Sequence, residues 1–119
     1  LMAAQPNYEV ILEEIHHTQK KDAPSGTAIT LAEQILELID RKKQWVNDIS
    51  DNPEDLEIIS QRIDPTPGTH SIKYSSVIDD IEIIHTAHNR TGFAAGAVKA
   101  AEYIIDKKGV FTMKDVLGL

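Results

Sequence analysis

Between Leu56 and His88, three strand-like runs follow one another with no helical segment between them. Residues 56–63, 70–77 and 81–88 are rich in Ile, Val, Thr and Tyr, the side chains that favour a pleated, half-buried backbone. Only Asp64-Pro65-Thr66-Pro67-Gly68, with Thr69, separates the first two. Its two prolines cannot donate to a sheet ladder, so it is a stiff connection. The last two are joined by Ile78-Asp79-Asp80, short enough for an antiparallel hairpin. Upstream, residues 8–15 alternate apolar residues with Glu and predict a further strand. Residues 27–41 predict a helix, with Ala28, Leu31, Ala32, Ile35 and Ile39 on one stripe. Residues 42–55 are polar, are broken by Asn52-Pro53 and read as a loop. A second helix spans 91–108 and is stopped by Gly109, with Lys107 and Lys108 suiting its negative end. The order β-α-β-β-β-α specifies an α+β fold: a mixed four-stranded sheet covered by helices on one face.

A chain of 119 residues, 41% of them hydrophobic, can bury one domain's core. Its net charge of −7 leaves no basic stripe to neutralise phosphates, which argues against nucleic acid as a partner. There is no cysteine, hence no disulfide and no thiolate metal site; a reducing cytoplasm fits this. No apolar run is long enough to span a membrane, and no signal peptide pattern opens the chain. Leu1 to Asn7 reads as the tail of a helix followed by a turn, the mark of a fragment of a longer protein.

The chemistry concentrates where the first strand gives way to the first helix, in His16-His17-Thr18-Gln19-Lys20-Lys21-Asp22-Ala23-Pro24-Ser25-Gly26-Thr27-Ala28. Ser25 is a good N-cap. Gly26 and Thr27 then offer free backbone N–H groups at the positive end of the helix dipole, a setting that favours a carboxylate or phosphate. Gly26 lets a ligand approach the backbone, and Lys20 can bring a full charge. Too few glycines are present for a nucleotide loop. Pro-Ser-Gly-Thr alone could be no more than a helix cap; Lys20 and the histidines shift the balance towards an anion site. In extended backbone His16 and His17 point to opposite faces, so they should not share a metal ion. One can serve as acid/base and the other can orient a ligand, although a solvated strand-end histidine is the competing reading.

Later candidates are weaker. His85 follows Ile81 and Ile83 on one face and reads as a core histidine. His88, three residues on, faces the other way. Arg90, just before a helix start at Thr91-Gly92-Phe93, could clamp a carboxylate or simply lie on the surface. Trp45 in a polar loop reads as a packing or interface anchor, and the acidic stretch 48–57 as a solvated face.

These strings together resemble a known family. The first matches HHxxKxDAPSGTA, the signature of dihydrodipicolinate reductase, at each fixed position. Gly68-Thr69-His70 resembles the family's GxH element. His85 with Arg90-Thr91-Gly92-Phe93-Ala94-Ala95-Gly96-Ala97 resembles its H-x4-R-x2-FA-x-GA element. The resemblance implies an enzyme of lysine and diaminopimelate biosynthesis that transfers hydride from NADPH or NADH to a cyclic unsaturated dicarboxylate. It implies that His16 is the proton donor/acceptor and Lys20 a proton donor. It further implies that His17, Gly26 and Thr27 contact substrate, with Arg90 a weaker addition. No metal is implied. The family's dinucleotide-binding domain lies N-terminal to this signature, so residues 1–119 correspond to the C-terminal substrate-binding and oligomerisation domain. Residues 91–119 are expected to pack towards the absent domain, and such enzymes are typically cytoplasmic homotetramers. This fragment is expected to be inactive alone.

Two other readings compete. A stand-alone dicarboxylate-binding or assembly module would use the same nest without catalysis. A histidine-based metal hydrolase would need a shared metal, against which the opposed histidines speak.

Overall fold

A computed structural model describes residues 1–119. The chain divides into two compact units, Leu1–His88 and Asn89–Leu119. The first contains β1 (Glu9–His16), α1 (Gly26–Leu38), β2 (Gln44–Val46), β3 (Asp55–Arg62), β4 (Gly68–Ser75) and β5 (Asp80–Ala87), after a 3-10 turn at Met2–Ala4. The strands form one mixed sheet in the order β2-β3-β1-β4-β5. β3 runs parallel to β1 and β2, whereas β4 runs antiparallel to β1 and β5. The fold is α+β as its sequence predicts, but with five strands rather than four.

The additional strand, β2, lies inside the segment expected to be a loop. Three residues are too few to show an alternating pattern. They are held by pairing, with Gln44, Trp45 and Val46 opposite Asp55, Leu56 and Glu57. The following turn is organised by Asp55, which is buried rather than part of a solvated face. Its carboxylate accepts from Gln44 Nε2 (2.9 Å), Ser50 Oγ (2.7 Å) and Asn52 Nδ2 (3.1 Å). The bonds from Gln44 and Ser50 hold its pKa below the ordinary value. Trp45 packs against the core, as a packing anchor should.

Strand alternation decides which face is buried. Val10 and Leu12 of β1, with Leu56 and Ile58 of β3, turn towards α1 and meet Ala28, Ala32, Ile35 and Ile39. This is the stripe predicted for the helix. Two alanines in it let the helix lie close to the sheet. α1 ends earlier than expected, because Ile39 leaves the helical region (φ −118°, ψ 86°). Arg41 instead donates from Nη2 to the carbonyl of Tyr8 at 2.7 Å.

The second unit holds α2 (Thr91–Tyr103) and α3 (Met113–Leu117). α2 stops at Tyr103, short of Gly109. Asp106 adopts a left-handed backbone (φ 61°) and turns the chain first. Tyr103 and Phe111 then pack edge to face at 5.6 Å, and Lys107 Nζ lies 3.1 Å from the Tyr103 ring centroid. α3 was not foreseen; it starts with a capping box between Thr112 and Asp115 and ends at left-handed Gly118. No helix in the structure is long and apolar enough to cross a membrane.

Candidate functional site

The sheet changes sense at β1, with a parallel neighbour on one side and an antiparallel one on the other. Alternation along β1 sends Val10, Leu12, Glu14 and His16 to the α1 side. The first two are core, so the next two bring polar groups to the rim of that core. Glu14 is 0% exposed and His16 9%. Glu14 lies opposite Ser60 of β3 and His70 of β4, and His16 lies opposite Arg62.

A buried carboxylate must be compensated, and Glu14 is. His16 Nδ1 bonds to its Oε2, and Arg62 Nη2 donates to Oε1 at 3.0 Å. Burial pushes the Glu14 pKa up. Hydrogen bonds from Ser60, Arg62 and His16, with the Arg62 charge, outweigh that and hold it below the ordinary value. The group is therefore a carboxylate, which only accepts hydrogen bonds. The proton in the Glu14–His16 bond then sits on Nδ1, and Nε2 is the nitrogen left for other chemistry. Nε2 faces Gly68, where a β-carbon would come within 3.1 Å of it. A side chain at position 68 would press on the imidazole.

Arg62 does more than compensate Glu14. Its Nε donates to the Lys20 carbonyl (3.1 Å) and its Nη2 to the Asp22 carbonyl (2.6 Å). The guanidinium thereby joins the end of β1 to the loop that carries Lys20. Within that loop, Lys20 Nζ donates to both carboxylate oxygens of Asp22, at 3.0 and 2.8 Å. The bond from Lys20 depresses the Asp22 pKa.

The loop ends at Ser25, whose Oγ accepts from the Ala28 amide at 3.2 Å, the N-cap geometry read from the sequence. The same Oγ lies 2.9 Å from His70 Nε2, which ties the helix start to β4. The amides of Gly26 and Thr27 have no acceptor within the chain. Both residues are exposed, so two N–H donors at the positive end of α1 face solvent.

Within the first unit, His17 and His85 lie outside this hydrogen-bonded cluster. His17 has left the strand and is half-buried. Its neighbour Thr18 donates to Asp64 through its amide (3.0 Å) and Oγ1 (2.6 Å). Those bonds, and more weakly the His17 charge, lower the Asp64 pKa. His85 is exposed on β5 opposite His70; it is not the core histidine expected, because β5 is an edge strand. Arg90 belongs to the second unit, where it is the exposed N-cap residue of α2.

Sequence reasoning gave no role to Glu14 or Arg62, and met His70 only within the Gly68-Thr69-His70 string. Glu14 also left a signal: an acidic residue two places after Leu12, on the inward beat of an alternating strand. His70 packs edge-on against His16, with ring centroids 5.1 Å apart. Burial, then the nearby His16, lowers its pKa. Glu14, His16 and His70 place one potential ligand atom each within 4.8 Å of one another. A cation there would face the Arg62 guanidinium and would displace bonds already made. The arrangement suits proton handling beside an anion better than metal chemistry.

These shifts set a pH dependence. Groups whose pKa is depressed by folding contribute stability above their unfolded values and lose it as pH falls. The unfolding midpoint should therefore drop on acidification, beginning below the ordinary histidine value of 6.5 as His70 is forced to protonate. It should drop further below 4.5 as Glu14 does. Thermal melts between pH 8 and 3 check this; a midpoint unchanged across that range would contradict it.

Residues 1–117 match the family described as dihydrodipicolinate reductase, C-terminus. The 4-hydroxy-tetrahydrodipicolinate reductase of Christiangramia forsetii is 56% identical over 117 residues, covering 98% of this chain and 48% of that protein. The enzyme of the same name from Methanosarcina barkeri is 39% identical over 116 residues, covering 95% and 44%. Among solved structures, dipicolinate-bound dihydrodipicolinate reductase from Paenisporosarcina sp. TG-14 superposes with a TM-score of 0.62 at 25% identity, covering 87% of this chain and 42% of that one. The chain thus spans about half the length of the relatives it matches.

Proposed function

The chain belongs to the C-terminal family of dihydrodipicolinate reductases, and we propose that it is the substrate-binding half of such an enzyme. The whole enzyme would reduce a cyclic unsaturated dicarboxylate to tetrahydrodipicolinate with NADPH or NADH, in lysine and diaminopimelate biosynthesis. The observation that carries this reading is the pair of unbonded amides at Gly26 and Thr27, set next to a loop that holds Lys20. They can take a carboxylate without displacing any existing bond. The solved relative bound to dipicolinate, a planar ring with two carboxylates, fits the same expectation.

The residues then divide by chemistry. Gly26 and Thr27 bind a carboxylate through backbone N–H groups and the helix dipole. His17 contributes a further substrate contact from the strand end, and Arg90 a weaker one. His16 exchanges a proton through Nε2, the nitrogen not engaged by Glu14. Lys20 donates a proton and stabilises negative charge. The nicotinamide cofactor supplies the hydride when bound. This chain has no glycine-rich strand-to-helix loop to hold it: the β1–α1 connection contains no glycine, and Gly26 is the first residue of α1. We assign the cofactor to the part of the enzyme that precedes this family's domain, and residues 91–119 to the side that packs towards it. Assembly as a cytoplasmic homotetramer through the sheet is part of the same proposal; Ile11 and Ile84, exposed on the face away from α1, favour it.

The test is reconstitution. The 119-residue chain alone should not oxidise NADPH or NADH above a blank in the presence of substrate. Joined to the dinucleotide-binding domain of a relative, it should do so. Turnover by the isolated chain would contradict the division of labour, and inactivity of a folded fusion would contradict the assignment itself.

A further inference from the structure

Glu14 and Arg62 are both drawn into the site by strand register, and neither has a place in the roles above. Glu14 is fully buried and divides its two oxygens: Oε2 to His16 and Oε1 to Arg62. Arg62 divides its donors among that carboxylate and the carbonyls of Lys20, Asp22 and Gln61. A single guanidinium therefore connects the imidazole that exchanges a proton with the loop that carries the lysine. A neutral imidazole holds its proton on either nitrogen, and the hydrogen bond made by one nitrogen decides the state of the other. We propose that Glu14 and Arg62 are a positioning pair. Glu14 fixes the proton of His16 on Nδ1 and leaves Nε2 as the acceptor, while Arg62 fixes which carboxylate oxygen does this and seats the Lys20 loop against it. The inference rests on the reading of His16 as the acid/base residue.

The division of oxygens makes Glu14→Gln a specific probe. An amide has one oxygen and one NH₂ group. Arg62 can only donate, so the oxygen turns to Arg62 and the NH₂ group is presented to His16 Nδ1. Nδ1 must then accept, and the proton moves to Nε2. The substitution changes side-chain volume little but installs the wrong tautomer, the kind of change that costs a carboxylate–histidine catalyst orders of magnitude in turnover.

The experiment has two readouts. Imidazole ¹⁵N spectra of the chain near pH 8 should show His16 protonated at Nδ1, and in E14Q protonated at Nε2. In the full-length reductase that carries this domain, E14Q should lower kcat by about a hundredfold or more and leave KM within a few-fold of its original value. An unchanged tautomer in E14Q, or turnover within twofold of the parent, overturns the proposal. If E14Q does not fold, Arg62→Lys decides instead. One ammonium group cannot serve Glu14 and both carbonyls, so the amide signals of residues 20–22 should shift and kcat should fall, whereas unmoved signals with full turnover overturn the proposal. If the parent enzyme has no reductase activity, the functional reading has failed, and the spectra still decide whether Glu14 sets the tautomer.

Discussion

Replacing Lys20 by methionine in the full-length enzyme should lower turnover by two to four orders of magnitude, the usual contribution of a positioned proton donor. Methionine keeps an unbranched side chain, one atom shorter, and removes the charged ammonium group with its protons. The loop should survive this change. Its backbone is held at the Lys20 and Asp22 carbonyls by Arg62, and neither bond involves the Lys20 side chain. The loss should appear in kcat, with the thermal midpoint little moved, because the Lys20–Asp22 pair is near the surface and such pairs contribute little stability. Steady-state kinetics beside a melting curve separates the two quantities. Near-normal turnover would remove Lys20 from the mechanism. The contrasting variant is His17→Ala, in which substrate binding should weaken more than turnover; a loss confined to kcat would mean that His16 and His17 have exchanged roles.

Leu12→Ala should have the largest effect on stability, about 3–5 kcal/mol of unfolding free energy. Leu12 is 0% exposed and lies across from Ile58 on one side and Ile72 on the other. The cavity opens in the middle of a sheet paired on both sides, where the backbone has least freedom to collapse into it. Small domains have a total stability of about 5–15 kcal/mol, so a large share would be lost. Val77→Ala is the control: that side chain is fully exposed beyond the end of β4, and its removal should change stability by less than about 0.5 kcal/mol. Urea unfolding of both variants measures the difference. A Leu12→Ala cost below about 1 kcal/mol would show that the core is not organised around β1.

The parts of this molecule that its sequence reveals are those coded by local periodicity. The α1 stripe of Ala28, Ala32, Ile35 and Ile39 is one. The hairpin of β4 and β5 is another. Ser25 as a cap is a third, since a side chain bonding an amide three residues on is a local event. What escaped was set by pairing between distant segments. β2 is a strand only because Leu56 and its neighbours offer a free edge. Arg62 meets Glu14 only because β3 pairs with β1 in one register, in which His16 and Arg62 are partners. His70 reaches His16 and Ser25 because β4 pairs on the other side. The Ser25 cap and the free amides of Gly26 and Thr27 were therefore legible, but the contacts of Glu14 with His16 and Arg62 were not. In α2 the helical pattern ran on past Tyr103, but the helix ends there, and a left-handed Asp106 turns the chain before Gly109, where the stop had been expected.

The central claim is that the start of α1 is a carboxylate site beside His16 and Lys20. Titrating the ¹⁵N-labelled chain with pyridine-2,6-dicarboxylate (dipicolinate) while following backbone amide shifts tests it most directly. The account predicts that Gly26 and Thr27 move first and furthest, that Lys20 and His16 move with them, and that benzoate gives smaller shifts. Shifts confined to the apolar cleft of Leu31, Ile35, Tyr74 and Ile81, or an unmoved Gly26-Thr27 pair, would contradict it.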